Sequence, residues 1–221
     1  MVKRTETKIP RKIDPWREDD TCRSDVERYR LLAIDLGASD AKVIQSNEVM
    51  VEHRVRGKCI VPKCPYYGLS GNCPPHSPSP EEIRVMLKEY RCGVFIRLII
   101  PSDQIAGEKA FEENRMRPFR MKIQDMVSEL ESIAFYDGYP LAMGFAAGTC
   151  KRSLCPDLEC SALIPGKGCR HPLRARPSME SVGMNVYTMA AKAGWDVYPI
   201  GKTLSPEDLP HGNYFGLVMI D

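Results

Sequence analysis

Residues 79–100 read SPEEIRVMLKEYRCGVFIRLII, and the two halves of this stretch follow different periodicities. Ser79-Pro80-Glu81-Glu82 has the form of a capping box with proline at the first helical position, a strong helix start. Ile83, Met86, Leu87 and Tyr90 then recur at helical spacing, which predicts a helix with one buried face. From Gly93 to Ile100 the chain is apolar at almost every position, the pattern of a central strand covered on both faces. A helix feeding directly into such a strand places the chain in the α/β class.

Outward from this stretch the same order recurs. Upstream, a helix is expected from near Ser24, with Val26, Tyr29, Leu32, Ala33 and Leu36 on one face and a stop at Gly37. Extended segments follow at Ala41–Ile44 and Val49–Val55, then a cysteine-bearing loop from Cys59 to Pro78. Downstream, a long helix carries Phe119, Ile123, Met126, Val127, Leu130, Ile133 and Ala134 and ends at Gly138. Leu141–Ala147 reads as a strand, Cys150–Pro177 as a second cysteine loop, and Ser178 as the cap of a helix through Val182, Val186, Met189 and Ala193, closed by Gly194. Strands are expected at Trp195–Ile200 and Tyr214–Ile220, with a short turn or helix at Ser205–Asp208 between them.

Helix, strand, cysteine loop, helix, strand thus appears twice. The expectation is one α/β domain over 23–221, a mixed sheet with helices, built from two pseudo-repeats at about 24–101 and 111–221 with the cysteine loops on corresponding ends of the sheet. Residues 1–22, polar and of mixed charge, read as a flexible arm.

The cysteines repeat as well. Cys59-x4-Cys64-x8-Cys73 and Cys155-x4-Cys160-x8-Cys169 have identical intervals, each followed by a proline-rich bend and a serine-capped helix. Cys150 adds a seventh cysteine just upstream of the second triplet. Glycine- and proline-rich loops let a backbone wrap a compact cluster and aim N–H groups at its sulfides, and Cys73-Pro74 echoes the step that closes many ferredoxin loops. Cys59, Cys64, Cys73, Cys150, Cys155, Cys160 and Cys169 are therefore the expected ligands of one or two [4Fe–4S] clusters. Zinc is the alternative, although structural zinc sites usually pair two Cys-x2–4-Cys knuckles. Cys150, Cys155, Cys160 and Cys169 could complete one four-ligand site; the first loop then has three thiols, completed by Cys92, by His76, by a ligand from the other half, or left with an open iron. Cys22 and Cys92 otherwise read as non-ligands, Cys92 as a small core residue at the start of a strand.

Lys151, Arg152, Arg170, His171, Arg174 and Arg176 are placed to offset the charge of such a cluster, and Tyr66, Tyr67, Tyr136 and Tyr139 to cover it. Gly144-Phe145-Ala146-Ala147-Gly148 lacks the lysine and further glycine of a phosphate loop and reads as the turn into the second cysteine loop. With 31 basic against 29 acidic side chains in 221 residues, no nucleic-acid footprint is expected. No apolar run reaches the roughly 18–20 residues that span a bilayer, and the first residues lack the apolar core of a signal peptide. Nine cysteines, an odd number, then suit metal binding in a reducing cytoplasm better than disulfides.

Lys58-Cys59 through Cys64-Pro65-Tyr66-Tyr67-Gly68, Cys73-Pro74-Pro75, Phe135-Tyr136-Asp137-Gly138-Tyr139, Gly148-Thr149-Cys150 and the run from Cys169-Arg170 through Arg176-Pro177-Ser178-Met179-Glu180 to Gly183 resemble a known family. It is the cysteine-rich, predicted metal-binding family of archaea and anaerobic bacteria, a domain of unknown function, and the similarity covers roughly residues 30–200. The resemblance implies metal binding, an iron–sulfur centre and an anaerobic host, and brings no established reaction. Three functions are consistent with this sequence: a redox module serving a partner protein, an enzyme binding a small-molecule substrate at an open iron, and a zinc-stabilised scaffold.

Overall fold

The structure is a computed structural model that describes residues 10–14, 16, 19–112, 115–201 and 203–221. Most of the expected N-terminal arm lies outside these residues, as does the side chain of Cys22. What is described of the arm, 10–14, is irregular and exposed, with Arg11 donating to the Asp25 carboxylate at 2.7 Å.

The elements run α1 (Asp19–Asp35), β1 (Asp40–Gln45), α2 (His53–Gly57), α3 (Pro80–Leu87), β2 (Cys92–Ile100), α4 (Ser102–Ile105), α5 (Arg117–Tyr136), β3 (Met143–Phe145), α6 (Cys150–Leu154), α7 (Val186–Lys192) and β4 (Gly212–Met219). The sheet order is β1-β2-β4-β3, and every ladder is antiparallel. A single parallel bridge joins Ala146 to Ser178. Each half of the chain thus supplies one outer and one inner strand, and the inner strands meet at the centre.

Both faces of the sheet are covered, which is why its strands read as apolar at successive positions. Val94, Ile96 and Leu98 of β2 pack with Val218 of β4 against Val26, Tyr29 and Ala33 of α1 and Ile123, Val127 and Leu130 of α5. On the other face Phe95, Phe215 and Leu217 meet Ile83 and Leu87 of α3 and Met189 of α7. Phe95 lies 5.0 Å from the Trp195 ring and 5.5 Å from Phe215, centroid to centroid. Helix α5 sits so close to β4 that a Cβ on Gly216 would stand 2.6 Å from Val127 Cγ2. The expected cap is present, with Ser79 Oγ accepting from Glu82 N and Glu82 reaching back to Ser79 N.

Three expected elements differ. Helix α1 opens at Asp19, five residues before Ser24. The helix expected from Ser178 is interrupted: a 3-10 turn at Glu180–Val182 ends at Gly183, whose φ of 93° is left-handed, and α7 starts anew with Asn185 capping Thr188 N. Trp195–Ile200 is not a strand. Both inner strands are already paired on each side, so this segment attaches through side chains: Arg97 and Asn213 donate to Asp196 O, and Trp195 Nε1 donates to Asp40.

The interruption at Gly183 has a structural use. Pro177–Asn185 forms a strap that ties down the bases of both cysteine loops. Ala146 N donates to Pro177 O and Met179 N to Ala146 O, closing the second loop. Glu52 N donates to Gly183 O, Asn185 N to Met50 O, and Ser77 Oγ to Ser181 O, closing the first. This pairing limits the extended segment before the first loop to about 49–52, after which the chain turns into α2 rather than running extended to Val55. The two loops touch each other, through Ser70, Gly71 and Asn72 of the first and Cys150 and Cys160 of the second.

Candidate metal centre

The first loop, 58–79, is a series of tight turns. Cys64 N donates to Cys59 O, Cys73 N to Ser70 O and Gly68 N to Pro74 O, at 2.8–3.0 Å. The Arg56 guanidinium gathers the carbonyls of Pro75, Ser77 and Pro78 at 3.0–3.3 Å and fixes the end of the loop. The second loop begins at Gly148, whose φ of 66° turns the chain into Thr149, the N-cap of α6. Lys151 Nζ donates to Cys155 O and Pro156 O, and Ser161 Oγ donates to Gly168 O at 2.7 Å, so the segment between Cys150 and Cys169 is held by its own side chains.

Cys150, Cys155, Cys160 and Cys169 line one small pocket, partly open to solvent, together with Lys151, Arg170 and His171. The first loop reaches into it. Ser70 Oγ lies 3.3 Å from Cys150 Sγ, Asn72 Nδ2 points at the same sulfur from 3.5 Å, and Gly71 N points at Cys160 Sγ from 3.5 Å. His171 N donates to Cys169 Sγ at 3.3 Å. Among the described residues no three His, Cys, Asp or Glu side chains are grouped closely enough to hold a single ion; these four cysteines share the lining of one pocket.

Cys59, Cys64 and Cys73 form a second, adjoining set. Burial pushes the Cys73 thiol up to about 11, and Cys150, Cys64 and Cys59 add to the shift; a hydrogen bond to Thr149 opposes it. Burial and the neighbouring Cys64 and Glu180 also raise Cys59, against Arg56. The two sets meet at Thr149, whose Oγ1 accepts from Cys73 Sγ at 3.2 Å and from Lys151 N at 3.2 Å, one residue before Cys150. None of the eight described cysteines is in a disulfide.

Other expected site residues fall elsewhere. Cys92 is buried in the core between the sheet and α1, and His76 is exposed with its backbone N bonded to Cys73 O. Of the basic residues, Lys151, Arg170 and His171 line the pocket, but Arg176 grips Glu131 at 2.6 and 2.8 Å and Arg174 pairs with Asp125 at 2.5 Å. Those two arginines are neutralised by α5. Tyr139 packs edge-on to Tyr29 and donates to Asp25, and Tyr136 is exposed at the end of α5, so neither covers the cysteines. Ser70, Asn72 and Thr149 were not expected from the sequence. Thr149 carried a usable signal, as an N-cap residue beside the seventh cysteine; Ser70 and Asn72 act across 78–80 positions of chain and carried none.

The donor set fits a thiolate-bound centre. Four cysteines line one pocket, N–H groups point at three of their sulfurs, and the cationic residues Lys151 and Arg170 line it too, where positive charge offsets thiolate charge. No curated protein and no solved structure matches the chain. A family described as predicted metal-binding protein (DUF2284) has a model that matches residues 42–220, both cysteine loops included. The chain belongs to that family of predicted metal-binding proteins.

Proposed function

We propose that this protein is an iron–sulfur redox module, with a [4Fe–4S] cluster held by Cys150, Cys155, Cys160 and Cys169 and a second centre at Cys59, Cys64 and Cys73. The observation that carries the reading is the pocket itself, lined by four cysteines, with N–H groups directed at their sulfurs and Arg170 in its wall. A cluster is larger than an ion and needs its thiolates spread around it. Bound there, it would supply reversible one-electron chemistry. The chain's own residues hold the thiolates, direct N–H groups at their sulfurs and add positive charge, all of which raise a cluster's potential. Electrons would pass to or from a partner protein, in a reducing, anaerobic cytoplasm.

The first loop favours a second reading for its own centre. It contributes three thiols, and the cysteine nearest to them across Thr149, Cys150, lines the other pocket. A three-thiol cluster with one open iron would bind a small ligand and act as a Lewis acid.

The test is a redox titration of anaerobically purified protein followed by visible and paramagnetic resonance spectra. Cys160→Ser is expected to remove one reversible signal, while Cys92→Ser leaves both intact and lowers stability by roughly 1–3 kcal/mol, the cost of a buried hydroxyl in an apolar core. A signal unchanged in Cys160→Ser, or lost in Cys92→Ser, contradicts the ligand assignment. An azide-dependent change in the remaining signal would support the open iron.

A further inference from the structure

Arg120, on α5, is 4% exposed, and its Nε and Nη2 have no hydrogen-bond partner among the described residues. A guanidinium does not shed its charge at neutral pH, and a buried charge without a partner is costly to the fold. The two orphaned donors are the parallel pair on one edge of the fork, the edge that matches a carboxylate or a phosphate. Arg176 shows the use of that edge in the same protein, its Nε and Nη2 holding the two oxygens of Glu131 at 2.6 and 2.8 Å. In Arg120 the same edge is buried and carries nothing.

Its surroundings come from three segments. The groups that bear most on Arg120 are Tyr214 at the start of β4, Arg152 on α6 and Tyr66 in the first cysteine loop, and among the described residues no carboxylate accepts from its Nε or Nη2. Tyr214 stands beside the guanidinium, and burial raises its phenol, so its O–H is retained as a donor. Arg152 is a second cation beside the first, which increases the demand for a negative charge. Glu180 is an acid that bears on Tyr214, and burial raises its carboxyl. Gly148 is also part of the wall: a Cβ there would stand 3.1 Å from Arg120 Cδ, so the arginine stem runs along the turn that leads into Thr149 and Cys150. Tyr66 and Arg152 are half-buried, so the groups around Arg120 extend toward the surface.

We propose that Arg120 and Arg152, with the hydroxyls of Tyr66 and Tyr214, form a binding site for a small oxyanion, a carboxylate or phosphate group, at the junction of the two cysteine loops. The anion takes the parallel N–H pair of Arg120 and supplies the negative charge that the fold does not. This site does not depend on which metal the cysteines hold. It stands beside the loop with three thiols, where a ligand anchored by its anionic end would meet the metal.

Inorganic phosphate and sodium acetate are titrated separately into the full chain, purified anaerobically and labelled with nitrogen-15, at ionic strength held constant with chloride. The arginine side-chain N–H signals and the melting temperature are followed. Phosphate, acetate or both should saturate, shift the Arg120 Nε–H signal and raise the melting temperature; the stronger of the two identifies the class of anion. Arg120→Lys keeps the charge but loses the parallel pair, and should bind about tenfold more weakly or worse. Arg120→Met should not bind at all. No saturable response to either anion, or the same response in Arg120→Met as in the wild type, overturns the proposal. Should Arg120→Met fail to fold, the Arg120 Nε–H signal of the wild type decides alone.

Discussion

Thr149 concentrates two demands on one oxygen. It caps α6 by accepting from Lys151 N, and it accepts from the Cys73 thiol, so it sets Cys150 and Cys73 in relation to each other. Thr149→Val keeps the shape and removes the oxygen. Loss of an N-cap costs about 1 kcal/mol, and an equal or larger fall in denaturation free energy is expected here. Thr149→Ser, which keeps the oxygen, should restore most of it. Val and Ser variants of equal stability would show that the cap and the thiol contact contribute nothing. The same scale explains what was legible of the site. Of the seven cysteines that spacing singled out, Cys150, Cys155, Cys160 and Cys169 line one pocket. Spacing could not reveal that Arg174 and Arg176 are paired by Asp125 and Glu131, since those partners are 45–49 positions away on another element.

At the scale of elements, local signals were read where the local chain decides the outcome. The capping box at Ser79 and the two-faced strand β2 are both present. Readings failed where a tertiary partner decides. Trp195–Ile200 has strand composition, but neither inner strand has an edge left for it. The helix after Ser178 breaks because the strap must hydrogen-bond both loop bases, and Gly183 supplies the left-handed turn. Close approach between elements is also invisible in the sequence. Gly216→Ala should destabilise the protein by about 1–3 kcal/mol, the usual cost of overpacking, because the new Cβ meets Val127 Cγ2 at 2.6 Å and Ile123 Cδ1 at 3.2 Å. Chemical denaturation checks this; an unchanged midpoint would mean that α5 can move off the sheet freely.

Across the whole molecule, charge and cysteine are placed together. Residues 54–78 and 148–177 carry ten basic and two acidic side chains, within a chain of net charge +2, so the remainder is net acidic. The cysteine-bearing segments are therefore the basic part of the chain, although Arg54, Arg174 and Arg176 pair with acids outside them. The apolar core lies between the sheet and its helices and does not include the loops; the loops are held by the Pro177–Asn185 strap and by each other. Repetition of the cysteine triplets announced two loops, but their contact is made by Ser70, Gly71, Asn72 and Thr149, which no periodicity marks. Among the described residues no helix is long and apolar enough to cross a membrane.

The most direct measurement of the central claim is the content of iron, zinc and acid-labile sulfide in protein purified without oxygen. The account predicts iron and sulfide in equal amounts, about eight of each if both loops hold cubanes and about four if the second loop alone does. Stoichiometric zinc without sulfide would contradict it, and would make the cysteine pocket a structural zinc site.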